Sequence, residues 1–324
     1  MDALGVAANN AGNAPQLLFH TKFSGLTIGT AYYGTAQTDW HQDFVDSVDD
    51  QTGYDIVNDI KGLYGSGTTI DLHTLPQANI PDAATFATYF GTDITTQLEL
   101  SILDQHGTYP TYTRVPQTYL RIFRPYAEAA ANDINEACFV GRFKLPAGLD
   151  LQTGNTAAGR YLVLKEIKTG GYGGVGGVGD LRFKLELTGS NGYNEWTMTV
   201  DNSANGIGVI PNNPSAIPPI GSSLTVYYQN KSGVEAELNV WSTFYLYFNR
   251  QAGRLIAAIH TDNGSYDVIA NAFANDFPGG QIYGQERLPI TRLHGLMLYT
   301  ATTYPCRVYF NDWQIWNKPP IELV

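Results

Sequence analysis

Two stretches of the chain set charged side chains at every second position. In Leu181-Arg182-Phe183-Lys184-Leu185-Glu186-Leu187 the apolar residues alternate with Arg182, Lys184 and Glu186, so a pleated strand collects the three charged groups on one side. Phe139-Val140-Gly141-Arg142-Phe143-Lys144-Leu145 likewise sets Arg142 and Lys144 against Phe143 and Leu145. On one curved sheet face these residues form a cationic groove, and such a groove suits an acidic polysaccharide such as a uronic-acid polymer. The competing reading is a solvated convex face with ordinary surface charge. Tyr245 and Tyr247 alternate with Phe244, Leu246 and Phe248 and add aromatic, hydroxyl-bearing surface to the candidate ligand-binding set.

Other chemistries find less support. No Gly-x-Ser-x-Gly is present to place a nucleophilic serine, and no Cys-x-x-Cys or Cys/His spacing suggests zinc. No metal or cofactor site is expected on motif grounds. The glycine-rich run 170–180 contains no Lys followed by Ser or Thr and joins two predicted strands. It reads as a hairpin tip rather than a phosphate cradle, the sharper alternative being a flap over a bound ligand.

Composition narrows the partners. With 324 residues the chain can bury roughly three quarters of its unfolded surface, so a large core needs no staples. Charged residues make up 15%, below the usual quarter, while 34 Gly and 21 Tyr point to a loop-rich protein whose surface bonds through hydroxyls and amides. A net charge of −11, with 19 Lys and Arg over the whole chain, argues against a nucleic-acid partner. No apolar window of about 18 residues predicts a membrane span, and Met1-Asp2-Ala3-Leu4-Gly5 lacks the basic and apolar regions of a signal peptide. Cys138 and Cys306 both fall in predicted strands, where buried free thiols are commoner than a cross-strand disulfide.

The elements that must position these residues are strands. After a small polar arm, 1–15, Gln16 to Phe23 reads as a first strand, and 38–118 reads as a loop-rich insertion with short helical turns after Pro81. Strands then follow at Tyr119–Arg124, Cys138–Leu145, Tyr161–Ile167, Leu181–Leu187, Glu195–Val200 and Leu224–Gln229. Thr243–Phe248, Arg254–His260 and Gly295–Tyr299 lead to a closing strand through Val308–Trp316. Parity predicts Phe143, Phe183, Leu185, Phe244, Leu246, Phe248, Leu255 and Ile259 as core. The expected architecture is all-β: one elaborated sandwich domain over 1–324, its main strands within 119–318.

Trp241-x-x-Phe244, the Gly253-Arg254 turn, Leu288-Pro289-Ile290, Leu298-Tyr299-Thr300, Tyr304-Pro305 and Asn311-Asp312-Trp313-x-Ile315-Trp316 together resemble the C-terminal half of concanavalin-like jelly rolls. That group includes legume-type lectins, laminin-G-like modules and several polysaccharide lyases. For a lyase, the resemblance implies a group that neutralises the substrate carboxylate, here Arg182, with His106 or His260 as base and Tyr245, Tyr247 or Tyr299 as acid. The Gln-x-His strand and the arginine-rich Ser-Glu-Leu-Arg segment of those lyases are absent. Hydrolases of this fold carry two carboxylates on one strand; Glu235-Ala236-Glu237 has the wrong spacing and Glu166 stands without a second. Calcium on laminin-G-like sandwiches would be met here by Asp201-Asn202 or Asn311-Asp312, residues that equally suit local turn and strand-end hydrogen bonds.

Little Lys with much Thr, Asn, Gly and Tyr, together with long irregular insertions, is typical of bacteriophage shell and fibre proteins. Ordering backbone costs roughly 1–2 kcal/mol per residue. The arm 1–15 and the tail 319–324 show no packing pattern of their own, so neighbouring subunits are expected to hold them. The expected function is a non-catalytic structural protein of a virion or extracellular surface, a capsid-decoration or fibre component that can bind glycan. The alternatives are a polysaccharide lyase acting by β-elimination and a secreted carbohydrate-binding module.

Overall fold

Alternation of apolar and polar residues is realised as strands from one end of the chain to the other. The computed structural model describes residues 14–21, 31–33, 38–39, 59–60, 68–74, 96–102, 117–123, 135–151, 161–169, 181–190, 192–202, 226–249, 251–273, 290–300 and 306–324. Within them lie β1 Leu17–Thr21, β2 Ala31–Tyr33, β3 Thr38–Asp39, β4 Asp59–Ile60, β5 Thr68–Thr74, β6 Thr96–Ile102, β7 Gln117–Phe123, β8 Glu136–Lys144 and β9 Tyr161–Thr169. The series continues with β10 Leu181–Ser190, β11 Tyr193–Asn202, β12 Val226–Glu235, β13 Trp241–Asn249, β14 Arg254–Thr261, β15 Tyr266–Phe273, β16 Ile290–Thr300 and β17 Cys306–Trp316. No helix in the described residues is long and apolar enough to cross a membrane.

β3 and β4 pair with each other, and the remaining strands form two antiparallel sheets. One has nine strands, ordered β15-β14-β13-β8-β17-β6-β5-β2 with β1 also paired to β17; the other has six, ordered β12-β11-β10-β9-β16-β7. Strand β8 runs along one side of β17, while β6 pairs with the first half of its other side and β1 with the second. The fold is an all-β sandwich of two antiparallel sheets packed around one core. All eight predicted core residues lie in the cluster between the sheets, with Phe139, Phe143, Phe244 and Phe310 among its largest fully buried members. Phe143 meets Trp196 of the facing sheet edge-on, ring centroids 5.6 Å apart, and Phe139 stacks on Phe248 at 5.9 Å. At the β13–β14 turn Gly253 takes φ 63°, and Asn249 Oδ1 accepts from the Ala252 N–H at 2.8 Å.

Three expectations are corrected. The segment 38–118 is more than a loop insertion: β5 and β6 join the nine-stranded sheet, and Leu98 and Leu100 are fully buried in the core. Their short alternation, embedded in polar sequence, becomes a core contribution only because β17 offers an edge. Strand β15 lies between the expected strands Arg254–His260 and Gly295–Tyr299, where no strand is expected, since an edge strand with one half-exposed face carries a weak pattern. Tyr245 does not lie on an open polar face; it is 2% exposed in a second apolar cluster with Cys138, Val140, Trp241, Ile256, Ala258 and Leu323.

That second cluster also corrects the view of the C-terminal tail. Leu323 is buried there, Ile321 packs beside it, and the Tyr266 hydroxyl donates to the Leu323 carbonyl at 2.6 Å. The tail thus lies on its own chain's sheet and needs no neighbour to order it. Cys138 and Cys306 are buried free thiols on opposite faces of the nine-stranded sheet. Burial pushes the Cys138 thiol far up and that of Cys306 up to about 12, so neither is a nucleophile at neutral pH. Residues 1–13, the helical turns expected after Pro81 and the glycine-rich run 170–180 lie outside the described residues.

Candidate functional site

The outer face of the six-stranded sheet is built by register. Val200, Phe183 and Ile167 stand opposite one another on β11, β10 and β9, and all three are buried in the core. The register carries this line to Tyr228 on β12, Leu293 on β16 and Ile122 on β7. Successive positions of a strand alternate faces, so the lines on either side of it belong to the outer face. One of them runs Asp201, Arg182, Lys168, Arg292. The other runs Gln229, Thr199, Lys184, Glu166, His294, Arg121 across all six strands.

The first line sets three cationic positions on adjacent strands about 4.8 Å apart. In the second line Lys184 Nζ lies 3.3 Å from Glu186 Oε2, and the Thr199 hydroxyl donates to Glu186 Oε1. Glu186 therefore balances Lys184 and accepts from its neighbour strand. Thr197 and Thr199 are buried although they occupy the outer face, and the Thr188 and Thr197 hydroxyls lie 2.9 Å apart. Sequence reading missed Lys168, Arg292, Glu166, His294 and Arg121. Their alternation was visible, but their alignment with Arg182 and Lys184 is a property of strand pairing.

Arg142 and Lys144 are elsewhere. They belong to β8, in the nine-stranded sheet, and the outer faces of the two sheets look in opposite directions. One groove lined by Arg142, Lys144, Arg182 and Lys184 is therefore corrected to two separate faces. Arg142 is 3% exposed and gives both terminal nitrogens to Asp262, at 2.9 and 2.8 Å, with Thr243 Oγ1 at 3.4 Å. It clamps β8 to the β14–β15 turn. Lys144 instead lies over the rings of Trp241 and Tyr309, at 5.3 and 5.4 Å from their centroids.

The expected lyase set is also divided. Arg182 is on β10, whereas Tyr245 and His260 are on β13 and β14 of the other sheet, and His106 lies outside the described residues. His260 packs edge-on against Tyr266 at 6.3 Å. The Tyr247 hydroxyl donates to Glu136 Oε1 at 2.8 Å, and burial, reinforced by that bond, raises its pKa to about 12. Asp312 pairs with His20 Nε2 at 3.0 Å on the nine-stranded sheet, while Asp201 and Asn202 end β11 on the other. Among the described residues no group of three or more His, Cys, Asp or Glu could hold a metal.

No protein-family model matches the chain, and no curated protein matches it. Solved structures similar to it include the CBM2 module of the evolved Dit of Lactobacillus casei BL23 phage J-1, with 9% identity, a TM-score of 0.38, and 94% of this chain and 96% of that chain covered. Endo-1,3-beta-glucanase from Streptomyces sioyaensis is similar at 15% identity and a TM-score of 0.37, over 94% of this chain and 96% of the other. Peanut lectin follows at 10% and 0.35, over 67% and 84%. Function is argued below from this chain's own residues.

Proposed function

We propose that the chain is a non-catalytic, glycan-binding sandwich of a virion or extracellular surface, holding an acidic polysaccharide on the outer face of its six-stranded sheet. The observation that carries this reading is the line Arg182, Lys168, Arg292, three cationic positions side by side in an acidic protein. Successive carboxylates of a uronic-acid polymer complement such a line, and the exposed amide of Gln229 suits sugar hydroxyls.

Titration calorimetry with polyglucuronate tests it. Arg182→Gln, Lys168→Gln and Arg292→Gln are each expected to weaken binding about three- to tenfold, and binding should fall steeply as salt rises. Uncharged dextran should not bind. Equal affinity in the triple variant would end the proposal. A second reading comes from one position: His294 sits in register with Glu166 beside the cationic line, and histidine is a usual base for β-elimination. Unsaturated product from polyglucuronate that disappears in His294→Ala would establish the lyase instead.

The surface role is supported by the low charge content and the Ala-, Asn- and Gly-rich arm 1–15. Light scattering should find the full chain in a higher-order complex and the chain lacking 1–15 smaller but still folded. A full-length chain that stays monomeric at all concentrations would contradict it.

A further inference from the structure

The nine-stranded sheet carries a cation that the mechanism above does not use. Tyr309, Lys144 and Trp241 stand opposite one another on β17, β8 and β13, with Glu99 of β6 next in the line. Neighbouring charges cancel in pairs, Arg142 with Asp262 and Arg307 with Glu99 at 3.2 Å, and Asp312 meets His20 Nε2 at 3.0 Å. Among the described residues Lys144 has no such partner, and its ammonium lies over the two aromatic rings. Burial lowers its pKa, so the ammonium is held in a place that disfavours its charge. A second donor in this line lacks an acceptor. Trp241 is 6% exposed, and its indole N–H, closed off from solvent, has no hydrogen-bond partner among the described residues. An unpaired buried donor costs about 1–3 kcal/mol.

An ammonium and an unsatisfied indole N–H at adjoining register positions, beside charges that are paired among the described residues, suit one acceptor. We propose that Lys144 and Trp241 form a site for a single oxyanion, a carboxylate or a sulfate, walled by the Tyr309 ring on the outer face of the nine-stranded sheet. The ammonium lies over the indole ring, and its flexible four-carbon stem lets it follow an anion that bonds to the indole N–H. Tyr309 supplies a wall and not a donor, because its hydroxyl bonds to Glu99. The site lies on the opposite sheet from the Arg182 line, so it stands whether or not that line binds polymer. If both bind, the sandwich holds acidic ligands on two opposite faces.

The indole N–H resonance of Trp241, assigned by its loss in Trp241→Phe, reports the site directly. Titration with sodium glucuronate and with sodium sulfate, each against sodium chloride at matched ionic strength, should shift that resonance saturably. Lys144→Gln should weaken the titration by about tenfold or more, and Lys144→Arg should largely keep it. Oligoglucuronate that titrates the resonance at lower concentration than the monomer identifies a polymer as the source, and equal midpoints identify a free anion. Both support the site. The triple variant of Arg182, Lys168 and Arg292 should titrate at Trp241 as the parent does, which separates this result from the fate of the polymer reading. No saturable shift with either anion, or an unchanged titration in folded Lys144→Gln, would overturn the proposal.

Discussion

Phe143→Ala is expected to lower the unfolding free energy by about 3–5 kcal/mol, read as a reduced urea midpoint at unchanged slope. Phe143 is fully buried, meets Trp196 of the six-stranded sheet edge-on and lies 6.2 Å from Phe244 within its own sheet. Removing the ring therefore opens a cavity where the two sheets touch, and neither sheet can close it without losing its strand register. The neighbouring position tests the same packing from the other side. A Cβ built on Gly141 would stand 2.5 Å from the Phe244 ring, so Gly141→Ala should overpack the core, with Phe244→Leu in the same chain recovering part of the loss. A loss under about 1 kcal/mol for Phe143→Ala would mean that the inward face is misassigned.

Asp262→Ala should cost about 3 kcal/mol. The guanidinium of Arg142 has a side-chain exposure of 4%, and taking away its carboxylate removes two short ionic bonds from a buried charge. Breaking such a pair costs about 3–5 kcal/mol; the lower end applies because Asp262 is 32% exposed and water takes part of its place. The decisive comparison is Arg142→Met with Asp262→Ala. With the charge gone as well as its partner, stability should return to within about 1 kcal/mol of the parent. If the double variant is as unstable as Asp262→Ala alone, the cost lies in the β14–β15 turn, where the Asp262 N–H donates to the Trp241 carbonyl at 2.9 Å, and not in the stranded cation.

Local pattern was enough to read the strands that carry both candidate faces. Alternation in Leu181–Leu187 and Thr243–Phe248 follows from the pleat, which sends successive side chains to opposite sides whatever the strand pairs with. Hence Phe183, Leu185, Phe244 and Leu246 were legible as core, and Arg142, Lys144 and Lys184 as facing the other way. What lies beyond an outward face is not in that pattern. Tyr245 has the parity of a surface residue and is buried because Leu323 returns from the C-terminus to cover it.

The sequence by itself determined the all-β class, the closing strand and the inward side of nearly every strand it could locate. Only the tertiary structure decided which outward residues share a face. Arg142 and Lys184 look alike as text, yet one strand joined the nine-stranded sheet and the other the six-stranded sheet, so their charges look in opposite directions. Conversely Arg182, Lys168 and Arg292, far apart along the chain, fall into one line because β9 lies between β10 and β16 in a particular register. The physical reason is that side-chain parity is a property of one strand, whereas the order and offset of strands are set by long-range hydrogen bonding and by the one register that buries every apolar row at once.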